Sequence, residues 1–226
     1  MMQRDAWYFQ EDIVKTYESY YQKKYKRADE LEKALLKKLL DTLGPTETLL
    51  EVGCGTSHFT RWFESLGLKC YGFDLSDLML KEAKSLWPEG DLLRGESSFL
   101  PFQNNSFDIV AYVACMIYML NPVKVIREAS RVARKGIIFG LINKWSLPTL
   151  RRIIQVKMGK NPYYKNAKFY SIIGMKRTLK DALDDKYIIP YWSTTVFPKI
   201  FGKVQSSFFP FGAFVGIAVK LGEKLD

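Results

Sequence analysis

The residues best suited to chemistry in this chain form one short run, Leu49-Leu50-Glu51-Val52-Gly53-Cys54-Gly55-Thr56-Ser57-His58. Leu49, Leu50 and Val52 read as the end of a buried strand. Two glycines follow, and from Phe59 the apolar spacing becomes helical. Gly53 lets the chain turn sharply, and Gly55 lets a ligand approach bare backbone where a Cβ would collide. A second apolar segment ends in Gly72-Phe73-Asp74, which places an acid about twenty residues beyond the loop. A carboxylate there can accept both hydroxyls of an adenosine ribose; its plainer use is to cap the helix that follows. Dinucleotide sites want a third small residue at the sixth position of the loop, to admit a pyrophosphate. His58 occupies that position, so a ligand without phosphates suits the loop better than NAD. His58 is also the sole histidine and a candidate general base, although a helix N-terminus disfavours its charged form. Cys54 is expected to be a small packing residue rather than a nucleophile.

The elements that must position these residues are legible from periodicity. Leucines 31, 35, 36, 39, 40 and 43 recur at helical steps from Asp29 until Gly44-Pro45 ends the pattern. Strands are expected at 48–52, 69–74, 92–95, 107–113 and 136–142, with helices at 59–66, 77–86 and 122–132 between them. The alternation predicts a doubly wound parallel sheet. Beyond residue 143 the pattern predicts helices over 146–158 and 172–184, a basic loop over 159–168, and two closing strands over 187–197 and 211–220.

Composition narrows the function classes. With 226 residues, of which 47% are hydrophobic, the chain can bury one full core. No run of about 18 apolar residues predicts a transmembrane helix. Three cysteines without a CxxC, beside a single histidine, predict neither a disulfide framework nor a metal site, and fit a reducing cytoplasm. The net charge of +10 is uneven: residues 121–226 hold twenty Lys or Arg against six Asp or Glu. Such asymmetry suits either an anionic partner or a solvated basic face.

At this point the chain resembles a known family. Glu51 to Thr56 is similar to the first motif of class I S-adenosylmethionine-dependent methyltransferases, closest to the small-molecule branch of ubiquinone and menaquinone biosynthesis. Gly72-Phe73-Asp74-Leu75-Ser76, Gly95 to Phe102, Asn105 to Val110 and Arg127 to Val132 resemble its later motifs in order. The resemblance implies a Rossmann-like, mostly parallel seven-stranded sheet with an antiparallel last strand and a small helical cap. It implies S-adenosyl-L-methionine as cofactor and S-adenosyl-L-homocysteine as product. It places Glu51 and the Val113 carbonyl near the methionine ammonium, with Gly53, Cys54, Gly55 and His58 along the cofactor. Asp74 falls on the ribose, Leu75 and the Ser97 N–H on the adenine, and Glu96 on its amino group. Tyr17 and Tyr21, four apart and so on one helical face, are expected to close over the cofactor. Three positions depart from the pattern: Ser57 stands where glycine is frequent, Glu96 where aspartate is commoner, and Tyr118 where a histidine is often found.

The expected organisation is an N-terminal helical cap over residues 1–45 and a methyltransferase domain over 46–226, in which 144–170 form an acceptor-side insertion. Tyr17, Tyr118 and His58 are the catalytic candidates. Tyr118, Trp145, Arg151 and Arg152 are the candidates for acceptor binding. The interleaved basic and aromatic residues of the insertion suit an anionic or lipid-like small molecule. They also suit RNA bases or an anionic membrane surface. A regulatory module that binds cofactor without transferring methyl is the remaining alternative, and the sequence sets no oligomeric state.

Overall fold

The computed structural model describes residues 6–23 and 25–222. Seven strands, β1 (Thr48–Val52), β2 (Lys69–Asp74), β3 (Asp91–Arg94), β4 (Phe107–Val113), β5 (Ala133–Ile142), β6 (Tyr187–Thr195) and β7 (Phe214–Leu221), form one sheet. Their order is β3-β2-β1-β4-β5-β7-β6. β1 to β5 pair in parallel, while β7 runs antiparallel to both β5 and β6. The sheet is therefore the expected Rossmann-like one, with the reversed strand last in sequence.

All seven residues of β4 are buried, as a central parallel strand covered on both faces requires. On one face Val125, Ile126, Ala129 and Val132 of α5 (Pro122–Val132) and Met175 and Leu179 of α7 (Ile172–Leu183) pack against the sheet. On the other lie α2 (Lys26–Thr42) and α3 (His58–Ser65). Leu35, Leu36 and Leu39 of α2 are completely buried. A Cβ at Gly216 of β7 would come within 2.8 Å of Leu35 and 2.9 Å of Leu39, so that glycine lets the helix lie close against the strand. α2 is thus a layer of the core, and the packing does not divide at residue 45. The element lying over the end of the sheet is smaller: a 3-10 turn at Trp7–Phe9 and α1 (Glu11–Lys23).

Local chemistry fixes the helix starts. Ser76 opens α4 (Asp77–Leu86) by accepting from the Met79 N–H, and Asn121 opens α5 by accepting from Lys124, with Pro122 in the first turn. Ser146 and Ser171 cap α6 (Leu147–Lys157) and α7 in the same way. The first and last strands match their expected extents to within a few residues. β5 begins earlier than its apolar run, at Ala133, because Arg134 and Lys135 reach out to Asp108 while their backbone stays in the strand. Within the expected basic loop, Pro162–Tyr164 forms a further 3-10 turn. Among the described residues no helix is long and apolar enough to cross a membrane.

Candidate active site

Strand order reverses between β1 and β4, and the carboxyl ends of β1, β2, β3 and β4 open there into one cavity of about 250 Å³. The glycine loop forms its floor. Gly53 has φ +75° and Gly55 has φ +54°, both left-handed. A Cβ on Gly53 would stand 2.5 Å from the Cys115 Cβ, so only glycine turns the chain here. Ser57, at the frequent-glycine position, adopts φ 63° and keeps the loop's left-handed geometry without a glycine.

Asp74 ends β2 in the cavity wall. One carboxylate oxygen accepts from the Gly55 N–H at 2.9 Å and the other from the Ser76 N–H at 2.8 Å. Burial pushes its pKa up, against the lowering effect of these backbone donors. The helix cap beside it is Ser76, so Asp74 is freed from the capping role that its position also suited. Glu96 and Ser97, on the loop after β3, line the same cavity, as do Leu75 and Val113. That loop is held from behind by Arg131, which donates to the carbonyls of Leu100 and Phe102, and by Glu128, which accepts from the Leu100 N–H. Glu96 itself accepts from the Ser98 hydroxyl.

The mouth of the cavity is aromatic. Trp7 stacks on Tyr17 with ring centroids 5.1 Å apart and meets Tyr8 and Tyr118 edge-on. The Trp7 indole donates to the Tyr118 hydroxyl, which donates in turn to the Tyr163 carbonyl. Burial raises the Tyr118 pKa well above its ordinary value. Its hydroxyl is therefore a neutral donor near pH 7. The Trp7-Tyr8-Phe9 run ahead of the first helix carries the sequence signal for this cover: Trp7 and Tyr8 line the cavity, and Phe9 packs on Tyr8.

Several expected residues stand elsewhere. Glu51 lies behind the wall, 1% exposed, and accepts from the Thr60 hydroxyl; burial raises its pKa to about 8. Cys54 is buried outside the cavity lining, and a Cβ at Gly72 would fall 2.9 Å from its sulfur, which accounts for a small residue at that position. His58 also lies outside the cavity, because its ring turns toward α1 and α2 to meet Glu18 at 3.3 Å and Asp29 at 2.7 Å. Glu18 further accepts from Thr56 and Arg61. Burial works against charge on His58, but the bonds to Asp29 and Glu18 raise its pKa, opposite to what a helix N-terminus alone implies. Trp145 and Arg151 are exposed, while Arg152 faces the Tyr164 ring at 5.4 Å. None of these three lines the cavity. The backbone of Tyr21 belongs to α1, and its side chain lies outside the described residues. Among the described lining residues the charged groups are Asp74 and Glu96, with no Lys or Arg. The excess cationic charge of the C-terminal half therefore sits outside the cavity.

The comparisons agree with this geometry. Residues 50–140 match the methyltransferase domain family. The chain is 34% identical to an uncharacterized protein of Methanocaldococcus jannaschii over 58% of its own length and 62% of that protein. It is 32% identical to the demethylmenaquinone methyltransferase of Renibacterium salmoninarum over 43% of this chain and 42% of that one. The chain thus spans roughly two fifths to three fifths of the length of these curated relatives. The solved structure of an S-adenosylmethionine-dependent methyltransferase from Thermotoga maritima superposes with a TM-score of 0.75 and 24% identity, covering 95% of this chain and 98% of that one.

The fold is Rossmann-like, with the glycine loop at the point where strand order reverses, and residues 50–140 within it match a methyltransferase domain. S-adenosylmethionine is the cofactor that the resemblance to methyltransferases implies. The cavity fits it: two left-handed glycines leave bare backbone, and a buried carboxylate stands beside them.

Proposed function

We propose that this protein transfers the methyl group of S-adenosylmethionine by direct in-line displacement to a small, uncharged, aromatic or lipid-like acceptor. The observation that carries this reading is the pairing of Asp74 with the Gly53–Gly55 loop beneath an aromatic mouth, in a cavity lined by no cation among the described residues.

The cofactor supplies an electrophilic methyl on a sulfonium. In this reading Gly53 and Gly55 give it close backbone approach, Asp74 takes the ribose hydroxyls, and Glu96 and the Ser97 N–H take the adenine edge. Leu75 packs on the ring and the Val113 carbonyl faces the ammonium. Trp7, Tyr8, Tyr17 and Tyr118 exclude water and align the acceptor. With Tyr118 held protonated and His58 turned away, an acceptor that needs little deprotonation, such as an acidic phenol or an activated carbon, suits the site best. Trp145, Arg151 and Arg152 lie outside the cavity and take no part in this reading.

Calorimetric titration with S-adenosylhomocysteine, with NADH as control, tests the cofactor. Saturable binding of the first alone is expected. No binding by the folded protein overturns the reading.

A further inference from the structure

α6 carries its apolar side chains on the wrong side for a core helix. Leu147, Leu150 and Ile154, with Met158 just beyond the helix, are all exposed, Leu147 by 68%. They fall at three- and four-residue steps, which puts them on one face. Arg151 and Lys157 flank that stripe on its two sides. Asn143, just before the helix, donates from Nδ2 to the carbonyls of Pro210 and Gly212, both at 2.7 Å, and so ties the β6–β7 loop to the root of α6. That loop exposes Ile200, Phe201, Phe208, Phe209 and Phe211; Phe208 is 96% exposed and Ile200 87%. Arg27 steadies its other side by donating to the carbonyls of Phe197 and Gly202. Lys199 and Lys203 sit among the exposed apolar residues. No Asp or Glu occurs in residues 129–180 or in residues 186–222.

Apolar exposure of this extent marks a contact surface. A second copy of the chain would set cation against cation. An RNA would engage the lysines and stack on the phenylalanines, but would leave the aliphatic Leu147, Leu150, Ile154 and Ile200 in water. An anionic lipid bilayer answers both features: its acyl boundary accepts the apolar side chains and its headgroups accept the cations. We propose that α6 and the 196–213 loop form a face that docks on an anionic membrane. Tyr163, in the turn after α6, packs on Trp7 at 5.7 Å and accepts from Tyr118, so the face adjoins the cavity mouth and brings it to the bilayer. That last step rests on the methyl-transfer reading; the docking face does not.

The test is sedimentation of the full chain with vesicles of phosphatidylcholine alone and with about 30% phosphatidylglycerol. Partition onto the anionic vesicles is expected, with little onto the neutral ones and loss in about 0.5 M NaCl. The double variants L150Q/I154Q and F208S/F211S change exposed side chains and should each lower partition about tenfold. S-adenosylhomocysteine titration of the same variants should be unchanged, which separates failure of the face from failure of the cofactor reading. Three results overturn the proposal: no partition, partition that the apolar substitutions leave intact, or a concentration-dependent dimer that these substitutions abolish without any vesicle binding.

Discussion

Asp74 is the residue on which the cofactor reading stands. Its carboxylate is buried, and its two backbone donors hold it at the end of β2, facing the cavity. Hydrogen bonds to a charged group contribute about 1.5–3 kcal/mol each. Asp74→Ala should therefore weaken S-adenosylhomocysteine binding at least tenfold by calorimetry, and an unchanged affinity would refute the ribose role. Gly53 gives a second prediction. At φ +75°, with a Cβ 2.5 Å from that of Cys115, Gly53→Ala should cost more than about 1 kcal/mol in a urea melt. A variant as stable as the wild type would mean that the loop can turn in another way.

At the scale of elements, one polar cluster joins α1 to α2 and α3, whose apolar faces share a core. His58 and Arg61 of α3 meet Glu18 of α1, and His58 meets Asp29 of α2. Burial raises and the bonds from His58 and Thr56 lower the Glu18 pKa, for a net value of about 2; Asp29 is lowered in the same way. The raised His58 contributes stability that is full below its ordinary 6.5 and lost as pH rises through its higher folded value. The lowered Glu18 contributes stability that is present above its ordinary 4.5 and lost as pH falls toward about 2. The cluster should therefore be strongest between about pH 5 and 6.5. His58→Ala should cost about 2 kcal/mol there and progressively less above neutrality, measured by urea unfolding at several pH values. A cost that does not vary with pH would remove His58 from the cluster's charge balance. α2 makes a separate contribution. Leu39→Ala, at a fully buried position, should cost about 2–5 kcal/mol in the same assay, which a peripheral cap helix would not.

At the scale of the whole molecule, the two charge regimes have parted. The cavity presents carboxylates and aromatic rings, while the cations lie on the surface of the C-terminal half. On the proposed function, those cations therefore do not select the acceptor. Labelled methyl transfer to acceptors in a cell extract should survive ribonuclease and concentrate in the small-molecule or lipid fraction. Its disappearance after ribonuclease would return the basic surface to RNA.

The alternation of strand and helix, the glycine loop and the acid beyond it are all legible in local sequence. Each depends on near neighbours: apolar period, caps such as Ser76 and Asn121, and glycines where φ must be positive. Tertiary structure alone decided which way the side chains beside the loop would turn. His58 and Glu51 flank the Gly53–Gly55 loop in sequence, yet one is drawn to Glu18 and Asp29 and the other to Thr60, away from the cavity. Trp7, some fifty residues before the loop, covers it. The assignment of α2 to the core was likewise decided by a distant partner, Gly216, which lets Leu35 and Leu39 come close. Local pattern specifies which face of an element is apolar, but the contacts that choose its neighbour lie far along the chain and carry no local signal.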